Sequence, residues 1–296
     1  MYPSSISIYE VGPRDGLQNE ALLPTAAKVQ LINGLANCGL NRIEVGSFVS
    51  HKWVPQMADS AAVCQQIEQR ADVRYSALVP NIKGLEQALA AHIREIALFT
   101  AASESFCQRN INCSINESLQ RFEPVFTAAK AAKLRVRAYV SCVLGCPYEG
   151  TINTAQVAAV THALIEMGAY EVSLGDTIGV GTPRAARSMV DAVSQRVSPS
   201  QLALHFHDTY GQALANIVAC LDSGIHTIDA SVAGLGGCPY AKGASGNLAT
   251  EDLVYMLEGM GIETGVDLPQ LAKFGQQICQ QLGKVTSSKV GQALQS

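Results

Sequence analysis

Gly168-Ala-Tyr-Glu-Val-Ser-Leu-Gly-Asp176 joins the end of one helical window to an apolar run. The same phrase occurs twice more, as Gly39-Leu-Asn-Arg-Ile-Glu-Val-Gly-Ser47 and Gly224-Ile-His-Thr-Ile-Asp-Ala-Ser231. Glycine enters the left-handed conformation that closes a helix without steric cost, so each phrase reads as a helix end feeding a β-strand. A chain that alternates in this way builds parallel βαβ units. Working outward from these phrases gives eight strands: Ser5–Glu10, Arg42–Ser47, Arg74–Val79, Glu95–Thr100, Arg135–Ser141, Glu171–Gly175, Leu202–His207 and Thr227–Val232. Helical spacing fills the intervals. In Pro24–Cys38, Val29, Ile32 and Leu35 recur on one face and Thr25 stands where an N-cap is expected. Asn153–Met167, Pro183–Arg196, Tyr210–Asp222 and Thr250–Gly259 read similarly. Eight such units in about 260 residues is the size of an α/β (β/α)8 TIM barrel, with a doubly wound open sheet as the alternative. The expected organisation is a catalytic barrel over 1–260 and a short helical C-terminal extension over 261–296, packed on the barrel and containing a helix at Leu268–Leu282.

The 296 residues carry 21 basic and 25 acidic side chains, a formal charge of −4. That balance argues against a broad phosphate-binding surface, so no nucleic-acid partner is expected. Apolar residues at 48% supply a large core, and charged residues at 16% are too few for a disordered chain. Mean hydropathy is +0.14, yet polar residues interrupt every apolar stretch before the ~18 residues a membrane span needs, so no membrane association is expected. The opening MYPSSISIYEVGPRDG has neither a basic start nor an apolar run of signal type, which points to the cytoplasm. Nine cysteines, an odd number with no CxxC pair, read as buried reduced thiols rather than a disulfide framework.

In a (β/α)8 barrel, chemistry sits at the C-terminal ends of the strands. Unusual polar residues cluster there: Arg14 and Asp15 after the first strand, Glu44 on the second, Asp176 after the sixth, His205 and His207 at the end of the seventh. Alternation along a strand points His205 and His207 the same way, as two ligands of a divalent cation or as a hydrogen-bonded structural pair. Gly12, Pro13 and Gly16 mark a tight turn. The Arg14–Asp15 pair it holds is either a surface ion pair or, in the mouth, a hard oxygen ligand beside a fixed cation. Glu44 is either a functional carboxylate or the partner of a neighbouring cation. Asp176 either caps the next turn or acts in catalysis. Tyr139 and Ser141 read as barrel filling. After the eighth strand, five glycines (234, 236, 237, 243 and 246) surround Cys238 in a segment with neither the GxGxxG nor the GK[ST] pattern; it reads as an active-site loop or lid.

Longer strings carry a resemblance. Gly12-Pro-Arg-Asp-Gly-Leu-Gln-Asn-Glu20, Ser47-Phe-Val-Ser50 with Lys52-Trp-Val-Pro-Gln-Met57, and Tyr139-Val-Ser-Cys-Val-Leu-Gly-Cys-Pro-Tyr-Glu-Gly150 resemble the hydroxymethylglutaryl-CoA lyase family. So do Leu174-Gly-Asp-Thr-Ile-Gly-Val-Gly-Thr-Pro183, His205-Phe-His-Asp-Thr-Tyr-Gly211 and the stretch from Ser231 to Leu257. The likeness runs from about residue 6 to residue 290. It implies Mg²⁺ or Mn²⁺, an acyl-CoA thioester substrate, and cleavage of 3-hydroxy-3-methylglutaryl-CoA to acetyl-CoA and acetoacetate, as in leucine degradation and ketone-body formation. It further implies a homodimer. By position it implies Asp15, His205, His207 and Asn247 as metal ligands, and Arg14, Glu44, Asp176 and Cys238 as other active-site residues. Arg14 would neutralise a thioester enolate and Cys238 would protonate it. Asp15, a metal-bound water or His205 would take the proton from the C3 hydroxyl. The tail Lys289-Val-Gly-Gln-Ala-Leu-Gln-Ser296 lacks the cysteine found near the C-terminus of many members, which puts thiol control between subunits in doubt. Competing readings are a lyase for a longer branched 3-hydroxyglutaryl-CoA, an acetyl-CoA condensing enzyme of the same superfamily, and a non-catalytic metal-binding scaffold.

Overall fold

The structure is a computed structural model that describes residues 2–237 and 246–295. Eight strands, β1 (Ser7–Glu10), β2 (Arg42–Ser47), β3 (Arg74–Leu78), β4 (Glu95–Ala101), β5 (Arg135–Ser141), β6 (Glu171–Asp176), β7 (Leu202–Phe206) and β8 (Thr227–Ala230), close into one parallel barrel in chain order, so the open-sheet alternative falls. The ring is sealed where β1 pairs with β8, from Ser7 opposite Thr227 to Glu10 opposite Ala230. The eighth strand is shorter than predicted. Its continuation at Val232–Gly234 turns sharply, with Ala233 in the left-handed region at φ +58°.

Helices α1 (Thr25–Asn37), α2 (Ser60–Gln66), α3 (Ile82–Ala90), α4 (Glu104–Ile111), α5 (Ile115–Ala131), α6 (Thr154–Glu166), α7 (Pro183–Ser194), α8 (Ala213–Cys220) and α9 (Thr250–Gly259) surround the ring. Side-chain caps begin several of them, most completely at α5, where Ser114 and Glu117 form a reciprocal capping box. Thr25 does not cap α1. Pro24 precedes the helix without a side-chain acceptor, and the Thr25 hydroxyl donates instead to Asp59 Oδ2 at 2.7 Å. Beyond the barrel, α10 (Leu268–Gln281) packs on α1 and on the Val232–Gly234 turn, and α11 (Lys289–Ala293) packs on α9. Among the described residues, no helix is long and apolar enough to cross a membrane.

Residues that point outward from the strands, such as Ile43, Val45, Val172 and Leu204, join the apolar layer beneath the helices. The barrel interior is different. Arg42, Glu171, Arg137 and Asp229 lie buried inside it, where Arg42 pairs with Glu171 at 2.7 Å and Arg137 bridges Glu171 and Asp229 at 2.6 Å each. Two guanidinium groups against two carboxylates leave no net charge. The pairing satisfies groups whose isolated burial would be prohibitive.

Candidate active site

The chain leaves β1 on one π-helical turn, Gly12–Gly16, wider than the tight turn read from the sequence. Its glycines serve close approach. A Cβ on Gly12 would lie 2.6 Å from Glu10 Oε1, and one on Gly16 would lie 2.8 Å from Leu235 Cβ. The turn aims Arg14 inward, and its side chain is only 6% exposed, which decides against a surface ion pair. Its Nε donates to Glu44 Oε2 and its Nη1 to Asp15 Oδ1, both at 2.5 Å. Glu44 is therefore the partner of a cation. Its Oε2 also accepts from the Tyr139 hydroxyl at 3.1 Å, while Oε1 has no hydrogen-bond partner among the described residues. Burial pushes the Glu44 carboxyl up, and Arg14 opposes that shift.

Asp15 turns its second oxygen, Oδ2, toward the imidazoles. Oδ2 accepts from Asn247 Nδ2 at 2.8 Å and lies 4.0 Å from His205 Nε2. Burial pushes the Asp15 carboxyl up, but Arg14 and the two imidazoles outweigh it and hold the group at about 2. His207 is pushed down to about 4 by burial and by His205, so its ring is neutral near pH 7. The two rings stand with centroids 5.4 Å apart. His205 Nδ1 faces Asp229 Oδ2 at 3.2 Å, and its ring packs edge-on against Tyr139. His207 Nδ1 has no partner among the described residues.

Asn247 comes from the far side of the barrel seam. The chain after β8 returns so that Asn247 bridges His207, while its Nδ2 donates to Asp15 and to the Leu235 carbonyl. With that nitrogen committed, the side-chain oxygen is what Asn247 offers a cation. Asp15, His205 and His207 each present a ligand atom, all within 4.8 Å of one another. A charged carboxylate and two imidazoles, one of them neutral through burial, fit a divalent cation.

Asp176 ends β6 and is buried. Its Oδ2 accepts from the Gly181 amide at 2.8 Å, so it clasps the loop that follows, while Oδ1 has no partner among the described residues. Burial outweighs those backbone bonds and holds the carboxyl up at about 6. The Gly-rich return is anchored by two glutamates the sequence reading did not single out. Glu10 accepts from the amides of Gly12 and Val232 and from the Thr250 hydroxyl; Glu251 accepts from the Ala233 amide. Cys238 and Gly243 lie outside the described residues.

The structure thus gathers Arg14, Asp15, Glu44, His205, His207 and Asn247 into one linked cluster, with Asp176 on the neighbouring strand. Two members were not predicted as site residues. Tyr139 is not mere filling, since it touches Glu44, His205 and the Arg14 guanidinium, whose centre is 5.3 Å from its ring. Asp229 backs His205, and the signal for it was present: a single acid inside the apolar strand Thr-Ile-Asp-Ala.

The HMGL-like family model matches residues 5–278. The chain is 59% identical to the mitochondrial hydroxymethylglutaryl-CoA lyase of Macaca fascicularis, over 98% of this chain and 90% of that protein. It is 58% identical to the 3-hydroxy-3-isohexenylglutaryl-CoA/hydroxymethylglutaryl-CoA lyase of Pseudomonas aeruginosa, over 99% and 98%. A crystal structure of hydroxymethylglutaryl-CoA lyase from Pseudomonas aeruginosa superimposes with a TM-score of 0.98 at 58% identity, covering 99% of this chain and 98% of that one. With the family model matching residues 5–278 and relatives 58–59% identical over 98–99% of the chain, the chain belongs to the HMGL-like family.

Proposed function

We propose that this protein is a divalent-metal-dependent carbon–carbon lyase that cleaves 3-hydroxy-3-methylglutaryl-CoA to acetyl-CoA and acetoacetate. The observation that carries the reading is the convergence of Asp15, His205 and His207 within 4.8 Å at the mouth of the barrel, with the Arg14 guanidinium on Asp15. Asp15, His205, His207 and the Asn247 oxygen would hold Mg²⁺ or Mn²⁺. When bound there, the ion supplies Lewis acidity toward substrate oxygens.

The bond to be broken joins the carbon beside the thioester to the tertiary carbinol carbon, and its electrons become a thioester enolate. Arg14 is suited to neutralise the enolate oxygen, because two carboxylates fix its Nε and Nη1 and so pre-orient the guanidinium. Glu44 and Tyr139 act through that orientation. As the carbon–carbon bond breaks, the C3 hydroxyl gives up its proton and its oxygen becomes the ketone oxygen of acetoacetate; Asp15 and His205, which face one another across the site, are the groups of this chain placed to accept it. Asp176 holds the loop at Gly179–Gly181 against the end of β7. Cys238 protonates the enolate carbon, a role that rests on the family resemblance alone. We retain the homodimer and the cytoplasmic location as part of this proposal; the eight described cysteines, all free and buried, accord with a reducing compartment.

The test is a product assay on the metal-loaded protein. Equimolar acetyl-CoA and acetoacetate, lost with EDTA and restored by Mg²⁺ or Mn²⁺, is the expected result. The Pseudomonas aeruginosa relative carries both substrates in its name, so 3-hydroxy-3-isohexenylglutaryl-CoA is assayed alongside. A higher kcat/KM for that thioester would reassign the substrate. Retained metal without cleavage of either would favour the scaffold reading.

A further inference from the structure

His205 and His207 are not equivalent. Neighbours on one strand end, they differ in what stands behind them. His207 Nδ1 has no partner among the described residues. His205 Nδ1 faces Asp229 Oδ2 at 3.2 Å, and that carboxylate is fixed from its other sides. Arg137 grips it with Nη2 on Oδ1 at 2.6 Å and Nη1 on Oδ2 at 3.1 Å, and the Ser173 hydroxyl donates to Oδ2 at 2.7 Å. Arg137 is itself held by Glu171, which is in turn held by Arg42 and Thr227. The chain of contacts runs inside the barrel across β2, β5, β6, β7 and β8 and ends on one imidazole nitrogen.

A carboxylate forked by a guanidinium is an acceptor only. The proton in its bond to His205 therefore sits on Nδ1, and the lone pair of a neutral ring sits on Nε2. That is the nitrogen 4.0 Å from Asp15 Oδ2. We propose that Asp229, anchored by Arg137 and Ser173, is a positioning residue that fixes His205 as the Nδ1–H tautomer, with Nε2 presented to the ion shared with Asp15 and His207. This rests on the metal-site reading above. Asp229 touches neither substrate nor ion; it removes the choice of tautomer and ring rotation that His205 would otherwise lose on binding. Partners of this kind change metal affinity by about 10- to 100-fold.

Asp229→Asn is the informative variant. Arg137 requires the amide oxygen, so the amide NH₂ turns to His205 Nδ1 and drives the proton to Nε2. Two readouts independent of turnover follow. Mn²⁺ binding, measured by EPR on the metal-free protein, is expected to weaken about 10- to 100-fold. Two-bond ¹⁵N–¹H spectra of histidine-labelled protein, with His205 assigned by loss of its signals in His205→Gln, are expected to show Nδ1–H in the wild type and Nε2–H in Asp229→Asn. A wild-type His205 carrying its proton on Nε2 overturns the proposal, and this measurement decides even if the variant does not fold. A folded Asp229→Asn protein that binds Mn²⁺ as tightly as the wild type also overturns it. Wild-type protein that binds no Mn²⁺, or His207→Ala protein that binds it undiminished, would instead sink the metal-site reading beneath it.

Discussion

Arg14→Gln should separate the structural from the catalytic work of one side chain. The guanidinium makes charge-assisted bonds of 2.5 Å to Glu44 Oε2 and Asp15 Oδ1. Bonds to charged groups contribute roughly 1.5–3 kcal/mol each, and breaking a buried pair by deleting one partner costs about 3–5 kcal/mol. The two routes agree near ~4 kcal/mol. Glu44, fully buried and left with only the Tyr139 hydroxyl, bears most of the loss. At roughly 2–4 °C per kcal/mol for a chain of this size, Tm should fall by about 10 °C. Loss of the charge facing the enolate should also lower kcat by about 10²–10³-fold at saturating metal. Adding Glu44→Gln removes the stranded carboxylate. The double variant should regain much of the lost Tm while regaining none of the activity. Scanning calorimetry and an acetoacetate assay on the two single variants and the double read both effects. Arg14→Gln turnover within threefold of wild type would refute the electrostatic role. Additive Tm losses in the double variant would refute the pairing energetics.

Cys238→Ala should reduce turnover by roughly two to four orders of magnitude, the scale of a positioned acid, while leaving Mn²⁺ affinity intact; lost Mn²⁺ affinity would point to a role in the metal site instead. Gly236→Ala places a Cβ 2.8 Å from Asn247 Nδ2 at a φ of +96°, so it should displace the amide and weaken Mn²⁺ binding, read by EPR titration. Stability should decline as pH rises. Burial holds the Glu10 and Glu251 carboxyls up at about 7 and about 8, above the range of an unfolded glutamate. Their stabilisation is complete below the unfolded value and is lost as pH climbs through 7 and 8. Tm measured from pH 5 to 9 should fall, and Glu251→Gln should flatten the upper part of that decline.

The barrel was legible because both of its signals are local. Glycine after a helix and a short β-branched run are readable in any window of a dozen residues, and all eight strands fall within two residues of expectation at each end. β8 stops early at Ala230 because Ala233 takes a left-handed turn, and nothing in Ser-Val-Ala-Gly announces that. The imidazole pair was legible by alternation, and the Arg14–Asp15 pair by its glycines. Asp229, Arg137, Arg42 and Glu171 were not, although each is a charged residue in an apolar strand, the same signal that marked Glu44. Separating a mouth residue from an interior one requires knowing which strands become neighbours after closure, and the Arg137–Asp229 pair spans 92 positions of sequence. Tyr139 was set aside for the same reason, its partners Glu44, His205 and Arg14 lying on β2, on β7 and on the turn after β1.

The pairing of β1 with β8, and the reach of Asn247 across to Asp15, also bear on how the protein is made. Two ligand candidates lie more than two hundred positions apart and meet only where the ring shuts. On the ribosome Asp15 is made well before the imidazoles, and Asn247 follows only after all eight strands have been synthesised. A product terminated before residue 247 therefore lacks one of the ligand candidates, and a partly translated chain cannot yet make the Asn247–Asp15 contact while its unfinished edges are still exposed.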